Sequence, residues 1–278
     1  MGRQLRMPLY ITACALGKLY HPDGEATLTR GAKASGIAQM VPTLGSCSMK
    51  DIAKVAKKLA ADSKAPLQPI WWQLYVNRDR ELTKKIVQTA EELGYQALFI
   101  TVDAPQLGRR ERDMRNKAPT TADVQKEQKE KITKSEGTAR AISSFIDSSL
   151  NWDDLPWFRS LTRLPIFLKG VQCGADAVRA AKCGYINGIV VSNHGGRQVD
   201  YARSGVECLL EITQALKAEG LQGKLVIFVD GGVRRGTDIF KCLALGASMV
   251  GVGRPALMSM AAYGVDGVNR MVRFNFSH

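Results

Sequence analysis

Eight short apolar runs, spaced along the whole chain, constrain the fold most. They are Leu9–Ala13, Ala38–Val41, Ile70–Tyr75, Ala97–Val102, Ile166–Lys169, Gly188–Ser192, Leu225–Asp230 and Met249–Val252. Most are continuously apolar and rich in β-branched or aromatic residues, as strands covered on both faces should be. Helical patterns separate them. Ile52, Val55, Ala56 and Leu59 share one face, as do Leu82, Ile86, Ala90 and Leu93. Gly36, Gly94, Gly184 and Gly246 stand at the ends of such patterns, where a left-handed cap belongs. Eight alternations predict an α/β chain folded as a (β/α)8 barrel, with an open doubly wound sheet as the alternative. A chain of 278 residues with 45% hydrophobic content is long enough to bury that core.

One interval is too long for a simple strand–helix repeat. Between Val102 and Ile166, the section Lys117–Gly137 is polar, rich in lysine and glutamate, and without strong periodicity. It reads as a lid or exposed loop after strand 4, with a functionless linker as the alternative. Ala139–Ile146 is helix-like, and the Trp152/Trp157 segment leads back to the barrel.

Several function classes drop out. No apolar run reaches membrane-spanning length, and the opening Met1-Gly2-Arg3-Gln4-Leu5 is no signal peptide. The six cysteines are scattered without a C-x-x-C and read as reduced thiols; three histidines are too few for a His-rich metal site. The net charge of +13 raises nucleic acid as a partner. The lysines spread over helix faces, however, and Arg109-Arg110-Glu111-Arg112-Asp113 interleaves acids, so a solvated basic surface is expected instead.

Polar residues gather at the C-terminal ends of the runs: Gln73, Tyr75, Thr101, Asp103, Lys169, His194, Asp230 and Arg254. In a (β/α)8 barrel that face builds the active site. The densest stretch is Ser192-Asn193-His194-Gly195-Gly196-Arg197-Gln198. A histidine can move a proton near neutral pH, and Arg197 carries a planar fork suited to a carboxylate. The glycines allow a tight turn or close approach to a flat ligand. Asp230-Gly231-Gly232-Val233-Arg234-Arg235-Gly236 and Gly251-Val252-Gly253-Arg254 follow strands 7 and 8, where barrels commonly hold phosphate. A sugar-phosphate substrate would suit these loops.

Together these motifs resemble the FMN-dependent 2-hydroxy-acid oxidases and dehydrogenases, including glycolate oxidase, lactate oxidase and the flavin domain of fungal flavocytochrome L-lactate dehydrogenases. The similarity runs from about Pro8 to Arg273 and implies one FMN-binding barrel domain over residues 1–278. By this resemblance Gln73 and Thr101 meet the flavin's pyrimidine edge, and Ala13-Cys14-Ala15 lies along its reactive edge. Lys169 stands near N1, and Ser192 is a further cofactor-binding residue. Asp230 meets the ribityl chain, Arg234, Gly253 and Arg254 surround the phosphate, and Gly232 is a further cofactor-binding residue. His194 is implied as the base, paired with Asp103. Tyr75 binds the substrate oxygen, Arg197 holds its carboxylate, and Arg110 matches a second active-site arginine. Carbanion and hydride routes are both compatible, with His194 as base in either.

The resemblance further implies oxidation of a small L-2-hydroxy acid, with electrons passing to oxygen or a cytochrome. It implies a homo-oligomer in the cytoplasm or a mitochondrion. Ala15 and Leu44 match positions beside the substrate side chain and favour L-lactate over glycolate and mandelate. Some features depart from the family. The chain begins just before strand 1, without the usual preceding segment and its tyrosine, and without a haem domain. A last helix beginning at Gly267–Arg273 stops early, which predicts bare strand surface near Val250 and Val252. Pro42 replaces a serine usual near the flavin. A truncated relative that turns over weakly, or only binds, is therefore the competing expectation.

Overall fold

In the computed structural model, which describes residues 5–108 and 145–276, eight parallel strands close in sequence order. They are β1 (Leu9–Ile11), β2 (Ala38–Val41), β3 (Ile70–Leu74), β4 (Leu98–Thr101), β5 (Ile166–Val171), β6 (Gly188–Val191), β7 (Val226–Asp230) and β8 (Met249–Val252). Tyr10 sits in register with Ala38 of β2 and Gly251 of β8, so the ring has no free edge. This is the expected (β/α)8 barrel, and the open sheet is excluded. The runs overstate some strands by one or two residues. β5 instead continues past Lys169 to Val171 through an irregularity at Gly170, whose φ is +109°.

Side chains alternate inward and outward along each strand. Tyr10, Met40, Trp71, Phe99, Phe167, Val190 and Phe228 fill the barrel interior. Leu9, Ile11, Val41, Trp72, Leu98 and Ile100 belong to the larger core beneath the helices. The interior is crowded with rings: Phe99 and Phe167 stack at 4.5 Å, and Trp71 lies 5.4 Å from Phe228. Gly188 and Gly251 make that crowding feasible. A Cβ at Gly188 would lie 2.3 Å from Phe167 Cε1, and one at Gly251 would lie 2.6 Å from Tyr10 Cζ.

The same period carries the chain from core to site. Two residues beyond an interior side chain lies a polar one: Tyr10 leads to Thr12, Trp71 to Gln73, Phe99 to Thr101, Phe167 to Lys169, Val190 to Ser192, and Phe228 to Asp230. Met40 leads in the same way to Pro42. The barrel's upper layer is thus set by the packing of the layer below.

Helices surround the barrel: α1 (Glu25–Ser35), α2 (Met49–Ser63), α3 (Arg80–Leu93), α4 (Leu155–Leu161), α5 (Gly174–Lys182), α6 (Gly205–Ala218), α7 (Gly236–Ala244) and α8 (Arg254–Phe276). Reciprocal side-chain caps, Ser48 with Asp51 and Ser204 with Glu207, start α2 and α6. The four expected cap glycines all take positive φ. In α3 the buried face is Thr83, Val87 and Ala90 rather than the expected Leu82, Ile86, Ala90 and Leu93. Thr83 turns inward because its hydroxyl accepts the Asn77 N–H.

The C-terminal helix also differs from expectation. α8 begins directly after β8 at Arg254 and breaks at Tyr263–Gly264, where Gly264 has φ +56°. Its second half brings Val268, Met271 and Val272 into the core, while Val250 and Val252 are buried. The expected bare strand surface is therefore covered. Gly31 of α1 admits that helix closely, since a Cβ there would lie 2.5 Å from Val268 Cγ1. No described helix is long and apolar enough to cross a membrane, and no described cluster of His, Cys, Asp and Glu could hold a metal ion. The 117–137 lid and most of the 139–146 helix lie outside the described residues; Ile146 itself bridges to Asn77.

Candidate active site

At the C-terminal mouth, β6 delivers His194 through three consecutive left-handed residues. His194, Gly195 and Gly196 have φ of +58°, +67° and +72°. Glycine tolerates this conformation, whereas histidine is strained in it and must be held by its surroundings. His194 Nδ1 lies 2.8 Å from Asp103 Oδ1, and Nε2 lies 3.1 Å from the Tyr75 hydroxyl. Three strand ends thus meet on one imidazole.

Electrostatics selects the tautomer. Burial opposes ionisation of Asp103, but the Lys169 ammonium and the bond from His194 outweigh it and hold the carboxyl below its usual range. An ionised Asp103 can only accept, so Nδ1 carries the proton and Nε2 presents its lone pair towards Tyr75. Asp103 is pinned in turn. Gln198 Nε2 donates to the carbonyls of Asp103 at 3.0 Å and Gln106 at 2.8 Å, while its Oε1 accepts the Gly108 N–H. Gly170 leaves the space, because a Cβ there would lie 2.4 Å from Asp103 Cγ.

A second network lies deeper. Lys169 is 5% exposed, with Nζ 3.9 Å from Asp230 Oδ2 and donating to Ser192 Oγ at 3.4 Å. Ser192 Oγ also accepts the His194 N–H, and Thr12 donates to Asp230 Oδ2 at 2.7 Å. Burial disfavours the ammonium, yet Asp230 and then Asp103 reverse this and raise the Lys169 pKa. A permanent cation therefore sits beneath the mouth. The Cys14 thiol beside it is pushed up to about 12 by burial and by Asp230, so it is neutral and unreactive.

The remaining expected residues fall around this centre. Gln73 donates to Thr101 Oγ1 at 2.8 Å, and its Oε1 accepts the Thr43 N–H. Ala13 and Ala15 are half-buried in the segment after β1, which Thr12 N ties to Val252 O. Arg197 and Arg234 are exposed at the mouth; Arg254 donates to Gly195 O. The N–H groups of Arg234 and Arg235 both go to Asp238, so these two residues offer an anion their guanidinium groups. Gly232 is open, with φ +77° and no atom within 4 Å of a Cβ. Arg110 lies outside the described residues. Sequence reasoning gave no role to Thr12, Thr43 or Gln198. Thr12 carried a signal as the residue two beyond Tyr10, and Gln198 closes the Ser192–Gln198 stretch.

These donors fit FMN. A buried ammonium suits an anionic ring, polar amide and hydroxyl groups suit its pyrimidine edge, a carboxylate and hydroxyl suit ribityl oxygens, and guanidinium groups beside open glycines suit a phosphate. Pro42 is buried at the end of β2 without an N–H to donate.

Comparison with known proteins gives the same assignment. The sequence pattern of the FMN-dependent dehydrogenases matches residues 1–274. The chain is 50% identical over 272 residues to an L-lactate dehydrogenase (cytochrome) of Wickerhamomyces anomalus, covering 98% of this chain and 46% of that protein. It thus spans about half the length of that relative. The flavin-binding domain of baker's yeast flavocytochrome b2 superposes with TM-score 0.83 at 42% identity, covering 98% of this chain and 64% of that one. A mandelate oxidase with (S)-4-hydroxymandelic acid superposes with TM-score 0.85 at 35% identity, covering 99% and 74%. Barrel, site and relatives agree: the chain belongs to the FMN-dependent dehydrogenase family.

Proposed function

We propose that this chain oxidises a small L-2-hydroxy acid to the 2-oxo acid, with His194 taking the substrate proton. The observation that carries the reading is the commitment of both ring nitrogens, Nδ1 to an ionised Asp103 and Nε2 towards Tyr75 at the open mouth. A base whose unprotonated nitrogen faces the open mouth, oriented by a buried carboxylate, is what proton abstraction needs. When bound, FMN supplies the two-electron acceptor that the protein side chains lack. Tyr75 donates a hydrogen bond to the substrate oxygen, and Arg197 receives the carboxylate at the exposed rim, with Arg110 as a second arginine. Asp103 stabilises the imidazolium that forms. The Lys169 ammonium favours negative charge developing above it.

The preferred substrate in this reading is L-lactate. Ala15 and Leu44, both half-buried in the loops after β1 and β2, form a small wall that accepts a methyl group and crowds out the ring of mandelate. Electrons then pass to oxygen or to a cytochrome. The test is the visible spectrum of the purified holoprotein before and after anaerobic L-lactate, followed by oxygen or ferricytochrome c. Flavin bands that bleach and recover support the reading. Bands that persist leave a flavin binder without this activity.

A further inference from the structure

Glu25, at the start of α1, is fully buried, yet it is outside the residues assigned to binding or proton transfer. Its Oε1 accepts the N–H of Gly17 at 2.7 Å and of Ser46 at 2.9 Å, while Oε2 accepts the N–H of Cys47 at 2.9 Å. Gly17 closes the loop after β1 that carries Ala15. Ser46 and Cys47 close the loop after β2 that carries Leu44. One carboxylate therefore ties both loops to the barrel mouth. The Lys18 N–H adds a direct bond between them, donating to Ser46 Oγ at 3.2 Å. The second loop continues the tie inward: Thr43 N donates to Gln73 Oε1, and Thr43 Oγ1 accepts the Tyr75 N–H. The fit leaves no slack, since a Cβ at Gly17 would lie 2.9 Å from Glu25 Cδ.

A buried carboxylate is costly unless its lone pairs are filled, and charge-assisted bonds to backbone are among the stronger ones available. Here one goes to Gly17, where the irregular segment after β1 enters a short 3-10 turn (Gly17–Leu19), and two go to the irregular segment before α2, so together they set where both loops stand. We propose that Glu25 is a positioning residue that fixes the separation of the Ala15 and Leu44 loops, and so sets selection among small 2-hydroxy acids by side-chain size. The selection half rests on the substrate reading given above; the tie between the loops does not.

The test compares wild type, Glu25→Gln and Ser46→Ala as holoproteins, by amide hydrogen exchange and by specificity constants for glycolate, L-lactate and mandelate. Glu25→Gln sets an NH2 group against at least one backbone N–H. Exchange in residues 13–17 and 42–47 should accelerate about tenfold or more in both loops together, with β1 and β2 unchanged. The lactate-to-glycolate ratio should fall about fivefold, chiefly through KM, with flavin retained. Ser46→Ala, which removes only the bond between the loops, should move both readouts less and in the same direction. If Glu25→Gln fails to fold, Glu25→Asp, which keeps the charge but shortens its reach to both loops, is read by the same two measurements and decides the matter. An active wild type whose ratio is unchanged in the variants overturns the selection role. Exchange that rises in the strands as much as in the loops, or not at all, overturns the tie. A wild type that holds FMN but oxidises none of the acids refutes the substrate reading and the selection role with it, and exchange still decides the tie.

Discussion

Replacing Asp103 with Asn conserves size while removing the charge that orients His194. In the wild type the Nδ1–H donates to Oδ1 at 2.8 Å, and the Asp103 side chain is only 2% exposed, so water cannot replace it. Two losses follow. A charge-assisted bond worth about 1.5–3 kcal/mol becomes a neutral one worth about 0.5–1.5 kcal/mol when the imidazolium forms. The Asn amide can also turn its NH2 group to Nδ1, which moves the ring proton to Nε2 and removes the base. Together these cost about 3–4 kcal/mol in the transition state, or roughly 10²–10³-fold in rate at ~1.36 kcal/mol per decade. The assay is stopped-flow bleaching of the bound flavin by anaerobic L-lactate, with flavin content checked first. Substrate affinity should change by less than about threefold, because Asp103 touches the base rather than the substrate. A reduction rate within about fivefold of wild type, at full flavin content, would refute the orienting role. Stability gives a second readout. The Asp103 pKa is lowered on folding, so its contribution is complete above the unfolded value of about 3.9 and disappears as pH falls through the folded value. Asp103→Asn should flatten that acid limb of the melting curve.

Lys169→Met should destabilise the apoprotein by about 3–5 kcal/mol, because it leaves Asp230 buried with its charge uncompensated. The folded Lys169 pKa is raised, so its stabilisation is complete below about 10.4 and lost as pH climbs through the folded value. Alkaline melts should therefore steepen in wild type and not in the variant; parallel curves would contradict the pairing. Gly170→Ala forces a Cβ to within 2.4 Å of Asp103 Cγ at a φ of +109°, so reduction by L-lactate should slow at least about tenfold while the barrel still melts cooperatively. Arg234→Ala combined with Arg254→Ala should strip FMN during gel filtration, and full retention of flavin would remove both from the phosphate site. Leu44→Ala should lower the preference for lactate over glycolate by about 1 kcal/mol or more, read from specificity constants; an unchanged ratio would take Leu44 out of the pocket.

How much of this was legible in the linear chain follows from the range of each interaction. Eight apolar runs separated by helical patterns and closed by Gly36, Gly94, Gly184 and Gly246 report local backbone preference, and local preference survives in sequence. Position at the C-terminal ends of those runs then placed Gln73, Thr101, Lys169 and Asp230 at the mouth, the face that builds the active site in such a barrel. Resemblance in the Ser192–Gln198 stretch supplied the chemistry. Other features had no local trace. His194 meets Tyr75 across 119 residues and Asp103 across 91, and only closure of the ring through Tyr10 and Gly251 brings those strand ends together. Glu25, Thr43 and Gln198 read in sequence as an ordinary first-turn acid and loop polars, and the buried amides they serve are revealed only by the loops around them. The break at Tyr263–Gly264, beyond which Val268, Met271 and Val272 reach the core, likewise answers to packing. Period and propensity determined the barrel and the kinds of residue at its mouth. Long-range hydrogen bonds and close packing, which leave no pattern along the chain, decided which of those residues touch.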